Sequence, residues 1–187
     1  MTTAPGAPAG RARLTAEVTY PPLPAQLETP RLVLTPEQPA DAPWLAELFT
    51  ARGGAVCSVA EAAGRIALMN ETTATSGIGA LVLRRRPDGE PLGYVAVVVG
   101  RGSVDEPELA YELLPAAHGQ GYATEAARAL LDAAFATGRT RIWATVRAAN
   151  TASLRVAEKL GFTRSHATAD AAGELVWLVC TDRSAAL

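Results

Sequence analysis

The sequence predicts one mixed α/β domain, and three observations carry that reading. Segments with period-2 alternation and segments with helical spacing of apolar residues follow one another, but not as a regular strand–helix–strand series. Hydrophobic residues make up 49 % of the 187, enough to bury a sizeable core in one domain. No apolar run approaches the length of a membrane span.

The elements follow in order. Residues 1–26, rich in Pro, Ala and Gly, show no sustained period and read as a flexible arm. They lack the apolar stretch of a secretory signal. The domain is expected over 27–187. "RLVLT" (31–35) alternates as a short strand. Pro39 and Asp41 open a helix with Trp44, Leu45, Leu48 and Phe49 on one face. Ser58 and Glu61 form a capping box for a second helix carrying Ala62, Ile66 and Met69. "IGALVLRRR" and "PLGYVAVVVG" make a hairpin across "PDGE", the second strand apolar on both faces like an interior strand. "ELAYELLP" (108–115) adds a further strand. Ala123, Ala126, Ala127, Leu130, Leu131, Ala134 and Phe135 then share one helical face, closed by Gly138. "RIWATVRA" alternates. Asn150 caps "TASLRVAEKL", which stops at Gly161, and a terminal strand pair completes the chain.

Bulk properties exclude several functions. A net charge of −2 argues against a nucleic-acid partner, and the absence of an apolar span argues against a membrane one. Cys57 and Cys180 match no metal-ligand spacing, so free thiols, no metal and a cytoplasmic setting are expected.

"AAHGQGYATEAARALL" (116–131) places almost no side chain where a helix begins, which suits an anion held by main-chain N–H groups. A dinucleotide fold would need this turn after the first strand and an acid about 20 residues on, where "RTRIW" stands instead. A phosphate loop would need Gly-Lys-Ser/Thr, also missing.

"HGQGYATEAARALL", followed about thirty residues later by "NTASLRVAEKLGF" (150–162), resembles the GNAT superfamily of acyl-CoA-dependent N-acyltransferases. "TPRLVLTP" near the start points to its RimJ/RimL-like branch, the ribosomal-protein N-terminal acetyltransferases. The resemblance spans 27 to about 182. It implies a GNAT-like fold: a central mixed sheet of six to seven strands, splayed between the fourth and fifth, flanked by about four helices. It implies acetyl-CoA as co-substrate, with His118, Gly119, Gln120, Gly121, Tyr122, Ala123 and Thr124 wrapping the pyrophosphate. Leu113 and Leu114, on a bulged strand, would bind pantetheine through their amides. One of those amides would also steady the thioester oxygen. Asn150 would hold the pantetheine arm, with Ser153 near the sulfur.

Direct attack by an amine needs a proton acceptor and an acid for the leaving thiolate. Many members use a Tyr seven residues after the motif Asn, but here Ala157 stands there. Ser153 is the substitute acid, unless its hydroxyl serves only the helix start. Glu108 and Glu112 share one strand face and are the candidate bases, with bulk water the alternative. The expected acceptor is a protein N-terminal α-amine or a small-molecule amine. Segment 50–77, on the acceptor side, shows no acidic cluster to attract a polycation, so a polyamine acceptor is disfavoured. A non-catalytic acyl-CoA-binding module is the rival reading, and either a monomer or a homodimer is compatible with the sequence.

Overall fold

The computed structural model describes residues 20–53 and 55–182. Most of the segment expected as an arm, residues 1–19, lies outside the described residues. Of its remainder, Leu23 packs on the core and its N–H donates to the Gly77 carbonyl at 2.8 Å.

The chain order is β1 (Leu27–Glu28), β2 (Leu32–Pro36), α1 (Ala42–Ala51), α2 (Val59–Ser76), β3 (Ala80–Arg85), β4 (Pro91–Val98) and β5 (Glu108–Leu113). It continues with α3 (Tyr122–Ala136), β6 (Arg141–Arg147), α4 (Thr151–Leu160), β7 (Thr163–Asp170) and β8 (Gly173–Thr181). One sheet runs β1-β2-β3-β4-β5-β6-β8-β7. Its eight strands exceed the expected six to seven because β1, two residues long, pairs with β2. Every neighbouring pair is antiparallel except β5 and β6.

Helices cover both faces. Leu130, Leu131, Ala126, Ala127 and Ala134 of α3 pack with Val95 and Val97 of β4 and with Leu32 and Leu34 of β2, forming the main core. On the other face Leu45 and Leu48 of α1 meet Ala62 and Ile66 of α2. The Ser58–Glu61 capping box forms as the sequence reads, and α2 ends at Gly77 in the left-handed conformation. No helix among the described residues is long and apolar enough to cross a membrane. Cys57 and Cys180 are both free.

The arginines at the end of β3 each hold a carboxylate. Arg84 pairs with Asp41 at 2.7 Å, Arg85 with Asp88 at 2.6 Å and Arg86 with Glu28 at 2.8 Å. Asp41 is buried, which raises its pKa, but hydrogen bonds from Trp44, the Gln38 N–H and Arg84 outweigh burial and hold it below the usual range.

The feature that positions the site is the β5–β6 junction. Glu108 and Trp143 are the single paired position between these parallel strands, and the Trp143 N–H donates to the Pro107 carbonyl at 2.8 Å. Beyond that point the two strands do not pair.

Candidate active site

Where β5 and β6 part, the unpaired main-chain edge of β5 lines a cleft. The β4–β5 ladder runs without a shift from Gly93↔Leu113 to Val98↔Glu108, so the bulge expected in β5 is absent. The opening comes from divergence of β6 instead. The Leu114 N–H donates to the Leu92 carbonyl at 2.9 Å, so it is committed to the sheet and cannot serve the cleft as expected. Alternation along an antiparallel strand then turns the N–H and C=O groups of Leu113 and Tyr111 toward the opening. The Leu113 carbonyl meets His118 Nε2 at 2.8 Å, which leaves its amide as the group facing the gap. The Tyr111 main chain, unremarked in the sequence, joins it. A one-residue register difference separates Leu113 from Leu114, and no sequence signal fixes it.

The glycine-rich turn closes the C-terminal end of the cleft. Gly119 and Gly121 have φ of 74° and 81°, conformations that a β-carbon disfavours. Gly121 is the N-cap of α3, whose first intrahelical bond runs from Glu125 N–H to the Gly121 carbonyl. The N–H groups of Tyr122, Ala123 and Thr124 therefore have no intrahelical acceptor. Those of Gly119, Gln120 and Gly121 donate to no protein acceptor among the described residues. Six main-chain donors thus cluster at the positive end of a fifteen-residue helix. His118, in contrast, spends its N–H on the Pro115 carbonyl and its ring on Leu113, so it shapes the turn.

Arg31, which belongs to the "TPRL" stretch but drew no role from the sequence, braces this turn. Its Nη1 donates to the Gln120 carbonyl at 2.9 Å, its Nε to Glu125 at 2.6 Å, and its guanidinium lies 4.4 Å from the centre of the Tyr122 ring. Thr29 Oγ1 also donates to Glu125 at 2.6 Å. Burial pushes the Glu125 carboxyl up, but Thr29 and Arg31 outweigh it and hold the pKa low. The brace is partly exposed and worth about 1 kcal/mol. Arg31→Ala is therefore expected to weaken CoA binding roughly fivefold in a calorimetric titration.

On the other side of the cleft Asn150 caps α4, its Oδ1 accepting from the Ser153 N–H at 3.1 Å. The cap is thus made by Asn150, and Ser153 Oγ has no hydrogen-bond partner among the described residues. Tyr111 reaches across the cleft, its hydroxyl donating to the Ser153 carbonyl at 3.0 Å. Burial raises the Tyr111 pKa, so the hydroxyl stays protonated.

Glu108 and Glu112 do share a face, as alternation predicts, but their surroundings differ. Glu108 is buried at the apex of the split, accepting from the Arg101 N–H at 3.0 Å and from Thr145 Oγ1. Gly100 makes room for it, since a β-carbon there would lie 2.4 Å from Glu108 Oε2. Glu112 is ion-paired with Arg52, whose Nη2 also donates to the Tyr94 hydroxyl at 3.0 Å. Burial is the main cause pushing the Tyr94 pKa up to about 12.

A helix start rich in unpaired N–H donors, opening onto a slot between two diverging parallel strands, suits an anionic ligand with an extended arm. The sequence agrees: residues 31–163 match the family model described as an acetyltransferase (GNAT) domain, and the chain belongs to that family of N-acetyltransferases. No curated protein matches the sequence. Among solved structures, an acetyltransferase from Agrobacterium tumefaciens is 27 % identical with a TM-score of 0.71, covering 92 % of this chain and 100 % of that one. Mycobacterium smegmatis RimJ, in complex with CoA-disulfide, is 22 % identical with a TM-score of 0.70, covering 87 % and 86 %. A ribosomal-protein alanine acetyltransferase from Vibrio fischeri is 17 % identical with a TM-score of 0.72, covering 84 % and 97 %. The latter two support the fold alone.

Proposed function

We propose that the protein transfers the acetyl group of acetyl-CoA to a primary amine, a protein N-terminal α-amine or the amine of a small molecule. The observation that carries this reading is the β5–β6 opening, paired at Glu108↔Trp143 alone and ending at the N–H cluster of Gly119–Thr124. When bound, acetyl-CoA supplies an acyl carbon activated by a thiolate leaving group.

This chain's residues then have distinct tasks. The N–H groups from Gly119 to Thr124 receive the diphosphate, and Asn150 holds the pantetheine arm. The amides of Leu113 and Tyr111 offer hydrogen bonds to the arm and to the acyl oxygen as negative charge grows on it. The amine nitrogen attacks the acyl carbon, the carbon–sulfur bond breaks, and an amide forms. Glu108, directly or through water, takes the proton that the nitrogen loses. The Glu112 carboxylate is held by Arg52, and Arg101 Nη1 lies 3.7 Å from that of Glu108. Ser153 Oγ, uncommitted to the helix start, protonates the departing sulfur in place of the tyrosine that Ala157 replaces.

Energetics favour an acceptor of low pKa. An α-amine near pKa 8 is neutral in roughly a tenth of molecules at pH 7, whereas a lysine near 10.4 is neutral in well under about a thousandth.

Ser153→Ala is expected to lower kcat about a hundredfold while leaving the Kd of acetyl-CoA unchanged. Release of free thiol from acetyl-CoA, measured against a panel of amines, checks the first expectation and calorimetry the second. Acetyl-CoA binding without thiol release from any amine class would instead establish the binding module. An unchanged turnover in Ser153→Ala would remove its acid role.

A further inference from the structure

Beyond its last main-chain pair, the gap between β5 and β6 is crossed by a side chain. On one face of the sheet β5 presents Glu108, Ala110 and Glu112, and β6 presents Trp143, Thr145 and Arg147. Parallel register continued from Glu108↔Trp143 would set Thr145 opposite Ala110, but the strands have parted there. The Thr145 hydroxyl instead reaches diagonally across the gap and donates to the Glu108 carboxylate.

Glu108 is 7 % exposed, and each carboxylate oxygen has a donor. Thr145 Oγ1 donates to Oε1, and the Arg101 N–H donates to Oε2 at 3.0 Å. Thr145 Oγ1 in turn accepts from Arg101 Nη1 at 3.1 Å, and the same Nη1 lies 3.7 Å from Glu108 Oε1. These contacts close a ring that joins the β4–β5 loop, β5 and β6.

Chemistry fixes the direction of the bonds. A guanidinium only donates and an ionised carboxylate only accepts, so the single Thr145 proton points to Glu108. The arrangement favours the charged carboxylate, which is the form that takes a proton. An ionised carboxylate accepts at about four positions, and lone pairs beyond those that Thr145 and Arg101 occupy stay open to a further donor. The other charged groups of this region are engaged elsewhere: Glu112 with Arg52, Glu106 with Arg141 and Arg147 with Asp170. His166 lies against Trp143, ring centres 6.4 Å apart. Gly100 borders a cavity of about 400 Å³ that is also lined by Arg65 and by Glu37, 5 % exposed.

We propose that Thr145 is a positioning residue for the proton transfer: together with Arg101 it holds the Glu108 carboxylate ionised and in one orientation while the amine attacks. The proton leaves the amine nitrogen for a Glu108 oxygen, directly or through water, as the carbon–nitrogen bond forms and the carbon–sulfur bond breaks. Thr145 itself exchanges no proton. This inference rests on the reading of Glu108 as the proton acceptor.

The test uses acetyl-CoA with whichever amine of the panel is acetylated fastest, and rates are referred to the neutral amine so that the acid limb of kcat/KM reports the protein. Valine keeps the shape of threonine and lacks the donor, whereas serine keeps the donor. Thr145→Val is expected to lower kcat about tenfold and to move the acid limb about one pH unit higher, because a carboxylate that loses a donor keeps its proton longer. The KM of acetyl-CoA is expected to stay within about twofold of the native value. Thr145→Ser is expected to recover kcat to within about threefold. Glu108→Gln alone is expected to cost about a hundredfold, and adding Thr145→Val to it less than about twofold, since the hydroxyl acts through the carboxylate. If Thr145→Val fails to bind acetyl-CoA in calorimetry, Thr145→Ala carries the same expectations. A native kcat and acid limb in Thr145→Val, a loss that Thr145→Ser shares, or equal losses with and without the Glu108 carboxylate would overturn the proposal. Undiminished kcat in Glu108→Gln would instead overturn the role of Glu108, and absence of thiol release by the native protein with any amine would overturn acetyl transfer.

Discussion

Gly121→Glu is expected to reduce CoA affinity at least about a hundredfold, a change of about 2.7 kcal/mol. Two effects combine at this position. The residue adopts φ of 81°, where a side chain strains the backbone that aims the N–H groups of the α3 start. The added carboxylate would also stand beside the diphosphate site. Two like charges about 5 Å apart near a protein surface repel by about 3 kcal/mol. A β-carbon at Gly121 would lie 3.5 Å from Arg31 Nη2, so the new acid would also draw the brace away from Gln120 and Glu125. Gly121→Asn separates charge from strain, because asparagine tolerates the left-handed conformation and adds no charge. It is expected to keep affinity within about tenfold of the native value. Calorimetric titration with CoA reads both variants, and undiminished binding by Gly121→Glu would refute a diphosphate site at this helix start.

What the sequence made legible was local. The α3 stripe, the Ser58–Glu61 capping box and the Asn150 cap all rest on residues within a few positions of one another, and each forms as read. The adjacency of β5 and β6 followed from the resemblance, and their parting after one pair agrees with it. Long-range partners escaped because periodicity carries no information about register. Arg31 and Glu125 are 94 positions apart, and Arg52 and Glu112 are 60 apart. Their meeting depends on how β2 and α1 dock, which no cap or alternation encodes. Leu114 shows the same blindness at its smallest scale, where a shift of one residue decides whether an amide faces the cleft or β4. Glu37 carried no signal at all, lying between a strand end and Pro39 with nothing to mark it as buried.

That burial has a measurable consequence for stability. The Glu37 carboxyl moves from its ordinary value of 4.5 to about 7 in the fold, through burial first and Asp41 second. Between those values the folded chain keeps a proton that the unfolded chain has released. Stability therefore falls as pH rises through this window, by up to about 3 kcal/mol, and the loss is complete above the folded value. Glutamine has no proton to lose. Glu37→Gln is accordingly expected to be about 3 kcal/mol more stable than the native protein at pH 8 and nearly equal to it at pH 4, where both side chains are neutral. Urea denaturation at the two pH values measures the difference as a shift in midpoint at constant slope. A gain of the same size at both would assign the effect to packing, and no gain at pH 8 would mean that the carboxylate is solvated.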